Sequence, residues 1–544
     1  MRMLAVLTLV MPAVAVHAQP AHTARGTVFI DRDGDAVLSD GDGCIAGVRV
    51  SNGRDVVRTD SEGRYELPID DDDIVFVVKP RGYQVPIDVG HLPRFYYIHK
   101  PAGSPDDTFR YPGVEPTGPL PESIDFPLVK YDGTDRFRVI VLGDTQPFTI
   151  EQVDLLSRDA VPQLLDETNG DDPPAFVISL GDIVGDHLDL YEPLNEVMST
   201  LGVPIYNVMG NHDQNYMSPD DAHSDETFER VFGPTTYAFQ YGRAHFIILD
   251  DIIWNGYKSR EDKGDPEPGN YIGGLRDDQL DFIENYLNTL TGDELVVLCM
   301  HIPLVGGGVQ QVPQRGRLFE LLSRFPRTLS LSGHTHVQQH KLFGPDDGYD
   351  PGEPGQFGIT AHHHFNAATV SGSWYRGAPD EYGIPHTTMR FGAPNGFNIL
   401  SVDSDEYEID FFPARYPASF QISIYAPSAI AAGTPEAEVV ANVFAGDPLT
   451  RVAMRLRRSD GEATRWIPMA HDVRPDPFYL AVKAAEDSED PPNGRPMPAV
   501  LDSQHIWVGA LPAGLEPGAY TIEVEAVNMF KRKHTARCTL RVTD

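Results

Sequence analysis

Apolar positions recur along this chain in two rhythms. Between residues 136 and 412, short apolar runs alternate with stretches whose apolar residues fall three and four apart. The runs at 137–142, 176–180, 204–209, 245–249, 295–300 and 328–331 predict buried strands. The stretches at 151–165, 188–201 and 277–290 predict amphipathic helices, and 398–402 with 407–412 predict a closing hairpin. Such alternation predicts an α/β domain over residues 131–415. On either side the pattern turns to short β-like pieces cut by Gly, Asp and Pro. Those at 26–30, 47–50, 55–58, 63–67 and 74–78 predict a small β-sandwich domain over 19–130, ending in an irregular stretch from 80 to 127. Those at 420–425, 438–444, 451–456, 505–508, 520–526 and 535–542 predict a second β-sandwich over 416–544.

A chain of 544 residues is too long for one core, so three units are a reasonable division. The formal net charge of −37 leaves no basic surface to neutralise phosphates, which excludes a nucleic-acid partner. Met1-Arg2, an apolar run over 4–16 and Val16-His17-Ala18 have the pattern of a secretory signal over residues 1–18. No other segment approaches a transmembrane span. The expectation is therefore an exported protein, periplasmic or extracellular. Cys44, Cys299 and Cys538 are too few and too scattered for a disulfide framework.

The chemistry lies where the core strands end. Successive exits read Gly143-Asp144-Thr145-Gln146, Gly181-Asp182, Gly210-Asn211-His212-Asp213, His301-Ile302-Pro303 and Gly333-His334-Thr335-His336. Five exits thus carry oxygen and nitrogen ligand types, mostly one residue after a glycine that permits a sharp turn. In open α/β sheets ligands bind at this edge. One such exit is a turn or a cap; five in one domain predict a metal site.

The order GD-x-Q, GD, GNHD, H, GHTH resembles the calcineurin-like metallophosphoesterases over about half the chain. The flanking modules resemble those of an exported bacterial subgroup. The resemblance implies a four-layer αββα sandwich, flanked here by two small β-sandwich domains, and a centre of two divalent metal ions. It implies that Asp144, Gln146, Asp182 and His336 hold one ion, and that Asp182, Asn211, His301 and His334 hold the other. His212 is then the candidate general acid, with Asp213 or another carboxylate to orient it. The first motif has Gln146 where the family commonly has histidine. Among Mn, Mg, Zn and Fe, this harder oxygen donor favours Mn or Mg at the first site, with Mn preferred.

These residues imply a hydrolase of phosphoric esters. Its expected partner is a phosphomonoester or phosphodiester of a small molecule, lipid head group or glycan. The alternatives are a nucleotide or nucleoside-diphosphate phosphodiesterase, and a non-enzymatic cell-surface binding protein with a vestigial site. His187, His363 and Arg376 are candidate substrate-binding residues, and Trp374 is a candidate for stacking on a base or sugar. Separately, Asp31, Asp33, Asp35 and Asp42 fall at spacings of an EF-hand-type loop and are candidate ligands of a structural calcium ion. Ala36 stands where such a loop expects Gly.

Overall fold

The computed structural model describes residues 22–105, 109–256, 270–305, 312–434 and 437–544. The leader expected over 1–18 lies outside them. Among the described residues no helix is long and apolar enough to cross a membrane.

Strand Arg136–Leu142 is buried almost throughout and explains the core. Its alternate side chains serve two layers. Ile140 and Leu142, with Val177 of the next strand, pack on helices Ile150–Asp159, Val161–Thr168 and Tyr191–Ser199. Phe137, Val139 and Val141, with Phe176 and Ile178, face a second sheet through Phe239, Phe246 and Leu298. The far side of that sheet is covered by helices Asp277–Leu287 and Arg315–Leu322, through Phe282, Tyr286 and Phe319. Helices outside two facing sheets make the four-layer αββα sandwich.

The first sheet runs Ile205–Asn207, Phe176–Ser179, Arg136–Leu142, Gly396–Asp403, Glu406–Pro413. Its first three strands are parallel, and the last two form the expected hairpin. The second sheet runs Tyr237–Tyr241, Ala244–Ile248, Leu295–Cys299, Thr328–Ser332, His362–Asn366, Gln339–Phe343. Its four inner strands are parallel. Each sheet therefore delivers several strand ends to one edge.

Local chemistry explains where the elements depart from the sequence pattern. The single helix expected over 151–165 is two, because Pro162 lies in the first turn of the second helix and supplies no N–H to continue the first. Strand His362–Asn366 was not expected, since three consecutive histidines read as polar. All three are buried, and the rings of His362 and His364 both hydrogen-bond to Ser330 Oγ on the neighbouring strand, at 2.8 and 2.7 Å.

The N-terminal unit has a five-stranded and a four-stranded sheet. Three of its strands, Tyr83–Gln84, Tyr96–His99 and Phe126–Lys130, fall at least partly in the stretch expected to be irregular. It packs on helix Asp277–Leu287, where the Phe76 and Phe282 rings lie 5.9 Å apart. The C-terminal unit is a four- on five-stranded sandwich with its own apolar core. It adds an unexpected helix, Pro477–Asp487, capped by Asp476, whose carboxylate accepts from Tyr479 N–H at 2.7 Å. His505 Nε2 donates to Gln338 O at 2.7 Å and ties this unit to the core just beyond His336.

Candidate metal centre

The two sheets meet at the edge where their parallel strands end. Gly143 bridges to Thr369, and His301 Nδ1 lies 2.8 Å from Leu180 O. A carbonyl oxygen only accepts, so Nδ1 keeps its proton and Nε2 is the nitrogen that can offer a lone pair; burial lowers the ring, but Asp182 and Asp144 beside it outweigh that and raise it to about 10. That Nε2 lies 3.2 Å from Asp182 Oδ1, 3.1 Å from Asn211 Oδ1 and 3.2 Å from His334 Nδ1. Four donor atoms from four strand exits therefore converge.

A second group adjoins the first through Asp182. Gln146 Nε2 lies 3.3 Å from Asp182 Oδ2, and His336 Nε2 lies 3.6 Å from Asp144 Oδ1. His336 Nδ1 donates to Gly372 O at 2.9 Å, which leaves Nε2 facing the carboxylate. Among the described residues Gln146 Oε1 is buried without a hydrogen-bond partner, as is His334 Nε2. All seven residues expected as metal ligands are thus brought together.

The electrostatics fit cations. Asp144 and Asp182 are both buried at one place. Burial pushes the Asp144 carboxyl up to about 7. Burial pushes Asp182 the same way, but the charges of His301 and His212 outweigh it and hold the group well below the usual carboxylate range. Burial also lowers His334 to about 3 and His336 to about 4, leaving neutral imidazoles with lone pairs to donate. Carboxylates, neutral imidazoles and amide oxygens with unused acceptor capacity form the donor set of a dinuclear metal centre.

The backbone at this edge is strained in a consistent way. Asp144, Gln146, Asp182, His334 and His336 all have φ between +38° and +72°, the left-handed region that non-glycine residues rarely occupy. The glycines before them mainly supply room. A Cβ on Gly210 would lie 2.1 Å from Asp182 N, and one on Gly333 would lie 2.7 Å from Asp144 Oδ2. The expected role of glycine as the turning residue holds for Gly181 at φ +85°, whereas the other turns are made by the ligands themselves.

His212 sits beside the two groups with its Nε2 3.9 Å from Asp182 Oδ2. Its Nδ1 meets Asp186 Oδ1 in a short hydrogen bond. Burial alone would lower the ring, but Asp182 and Asp186 together raise it to about 9. The carboxylate that orients His212 is therefore Asp186, and the expectation of Asp213 in that role is corrected. Asp213 is buried and accepts from Gly210 N–H at 2.9 Å, Ile183 N–H at 3.1 Å and Tyr191 O–H at 3.0 Å. It locks the GNHD turn onto the GD turn and does not face the reacting space.

Other candidates are sorted by the fold. His363 is corrected: its ring is buried between His340, 3.0 Å away through nitrogen, and Tyr407, with Phe357 and Phe530 beyond. It lies three residues before the strand end and cannot reach a substrate. Trp374 stacks on His336, centroids 4.3 Å apart, and so packs on a candidate ligand. Arg376 lies 6.0 Å over the Trp374 ring at the site's margin. His187 follows Asp186 and lies 3.4 Å from Tyr111 O–H. Asp31, Asp33 and Asp42 offer oxygens within 4.8 Å of one another, but Asp35 is not in that group and accepts from Val37 N–H.

Two supporting residues escaped the sequence reading. Asp251 Oδ1 accepts from the N–H of His301 and of Ile302, both at 3.1 Å, and so fixes that exit. Tyr216 donates to Asp186 Oδ1 at 2.5 Å. Asp251 had a signal: Asp250-Asp251 stands just past strand Ala244–Ile248, at the edge where the other core strands place their donors.

Three family models match in succession. They are described as the N terminal of calcineurin-like phosphoesterase over residues 32–112, calcineurin-like phosphoesterase over 137–338, and the C terminal of calcineurin-like phosphoesterase over 364–534. A probable glycerophosphodiester phosphodiesterase of Arcobacter nitrofigilis is 28% identical over 172 residues, covering 30% of this chain and 57% of that protein. This chain therefore matches just over half the length of that relative. A 3',5'-cyclic adenosine monophosphate phosphodiesterase of Pseudomonas aeruginosa is 22% identical over 218 residues, covering 38% of this chain and 72% of that protein. Among solved structures, purple acid phosphatase PPD1 from yellow lupin seeds aligns with a TM-score of 0.35 and 13% identity over 68% of this chain and 69% of that one. With all three family models matched in order along the chain, it belongs to the calcineurin-like phosphoesterase family, a family of metal-dependent phosphoesterases.

Proposed function

We propose that the chain is an exported, two-metal hydrolase of small-molecule phosphodiesters. One observation carries the reading: two donor groups share Asp182, and the Nε2 of His212 lies beside them. In this reading Asp144, Gln146, Asp182 and His336 hold one ion, and Asp182, Asn211, His301 and His334 hold the other. Two divalent ions bound there supply Lewis-acid activation of water and neutralise charge that builds on the phosphoryl oxygens.

The chain's own groups do the rest. Asp186 holds the His212 ring through Nδ1 and stabilises its protonated form. His212 then donates its Nε2 proton to the leaving alkoxide. Asp251 holds His301 in place from behind. Arg376, at the margin, offers a planar fork for a phosphate oxygen, and His187, next to Asp186 in the chain, offers a ring nitrogen. The amide oxygen of Gln146 favours manganese or magnesium over zinc or iron. The diester preference is supported by the names of the two sequence relatives, both phosphodiesterases. Export is supported by the leader pattern at residues 1–18, and recovery of the protein from the periplasm or medium tests it.

The test is direct. Protein stripped of metal and reloaded with Mn, Mg or Zn is assayed on bis-p-nitrophenyl phosphate and p-nitrophenyl phosphate. The expected result is turnover that depends on metal, highest with Mn, and greater on the diester. No turnover of any phosphodiester with any metal sinks the proposal, and a preference for the monoester overturns its substrate class.

A further inference from the structure

A second cluster of metal-ligating side chains lies in the N-terminal unit, built by different elements from those of the strand-exit site. His22 opens strand His22–Ile30 and pairs with Ile69. Asp71 lies in the turn between strands Arg64–Ile69 and Asp73–Val77. His99 ends strand Tyr96–His99, where it pairs with Asp73 and its carbonyl accepts from Asp72 N–H at 2.7 Å. Four strands and one turn are therefore fixed by backbone pairing before any side chain is considered. His22 Nε2, Asp71 and His99 each offer a ligand atom, all within 4.8 Å of one another.

The geometry is that of a coordination sphere. His22 Nε2 lies 3.2 Å from Asp71 Oδ1, and His99 Nε2 lies 3.5 Å from the same oxygen. Ligands at zinc's usual bond lengths in a tetrahedron stand about 3.4 Å apart. The imidazole planes are nearly perpendicular, at 84°, with centroids 5.5 Å apart, so two ring edges can address one point without stacking.

His99 supplies an independent observation. It is only 1% exposed, and among the described residues neither ring nitrogen makes a hydrogen bond of full geometry: Nε2 has only the long contact to Asp71 Oδ1, at 3.5 Å. An imidazole nitrogen buried short of a full hydrogen bond is destabilising. A plain surface ion pair does not account for this. Asp71 and His22 are exposed enough to serve each other in water, and such a pair does not explain why the buried His99 ring is held 3.5 Å from the same carboxylate oxygen.

We propose that His22, Asp71 and His99 bind a divalent transition metal ion, zinc by preference, with water in the remaining position. Two imidazoles and one carboxylate with an open place match zinc's donor preferences. The ion clips the start of the first strand to the turn and to a strand of the other sheet. It is separate from the dinuclear centre and does not enter phosphoester hydrolysis.

The test compares untagged, chelator-stripped full chain with Asp71→Asn and His22→Ala, both at exposed positions, and with His99→Gln. Zinc is added and bound metal per chain is measured by elemental analysis after desalting. The expected result is one zinc fewer per chain in each variant than in the wild type, whatever total the dinuclear centre contributes. Turnover of bis-p-nitrophenyl phosphate is unchanged in Asp71→Asn and His22→Ala. The wild-type ion binds with a dissociation constant of order micromolar or tighter. Equal zinc content in the wild type, Asp71→Asn and His22→Ala overturns the proposal. So does a site that fills only at millimolar zinc.

Discussion

At the scale of single residues, the proposed centre separates holding a metal from handling a proton. Asn211 and His212 are adjacent in sequence but face different tasks. Asn211 Oδ1 points at His301 Nε2, while the His212 ring is turned to Asp186. His212→Ala is therefore expected to keep its full metal content by elemental analysis. It is expected to lose about 100- to 10,000-fold in kcat on a diester with a poor leaving group, and much less on p-nitrophenyl esters. Asp186→Asn is expected to lower the same kcat less, and to lower the pKa of the acidic group in the rate profile, because the ring loses a charge that raises it. Loss of a metal ion in His212→Ala would mean that the ring is a ligand and the acid assignment is wrong. Donor types at strand ends made the seven proposed ligands, which the fold brings together, legible in the sequence. Asp186 was legible only as one acid among many, since nothing in the spacing says which carboxylate reaches a ring 26 residues away.

At the scale of elements, the strand exits hold their ligands in a backbone conformation that costs about 1–2 kcal/mol per non-glycine residue. Five such residues at one edge persist only because the surrounding turns over-determine them. The close approach of Gly210 to Asp182 is one of those constraints. Gly210→Ala is expected to displace Asp182, reduce bound metal and destabilise the chain by about 1–3 kcal/mol in denaturant unfolding. Unchanged metal content and activity would show that the turn relaxes freely. The strands themselves were easy to read where apolar runs were pure. They were missed where burial is polar, as in His362–Asn366, whose histidines satisfy one another through Ser330, Tyr407 and His340. Periodicity carries no record of such partners.

At the scale of the whole molecule, the donors come from both sheets. Asp144, Gln146, Asp182 and Asn211 follow strands of the first, and His301, His334 and His336 follow strands of the second. What separates the two sets is a layer of aromatic rings, in which Phe176 lies 5.3 Å from Phe246 and 5.4 Å from Phe239. Catalytic groups displaced by about 1 Å commonly lose about a hundredfold in rate. The thickness of that layer is thus the gauge that sets the distance between half of the donors and the other half. Phe246→Leu is expected to retain the circular dichroism of the wild type and lose about 1–2 kcal/mol of stability. It should also weaken metal binding measurably, though its side chain touches no ligand. Read in this way, metal affinity becomes a ruler laid across the interior, and substitutions deep in the apolar layer should register first as a change in how tightly the edge grips its ions.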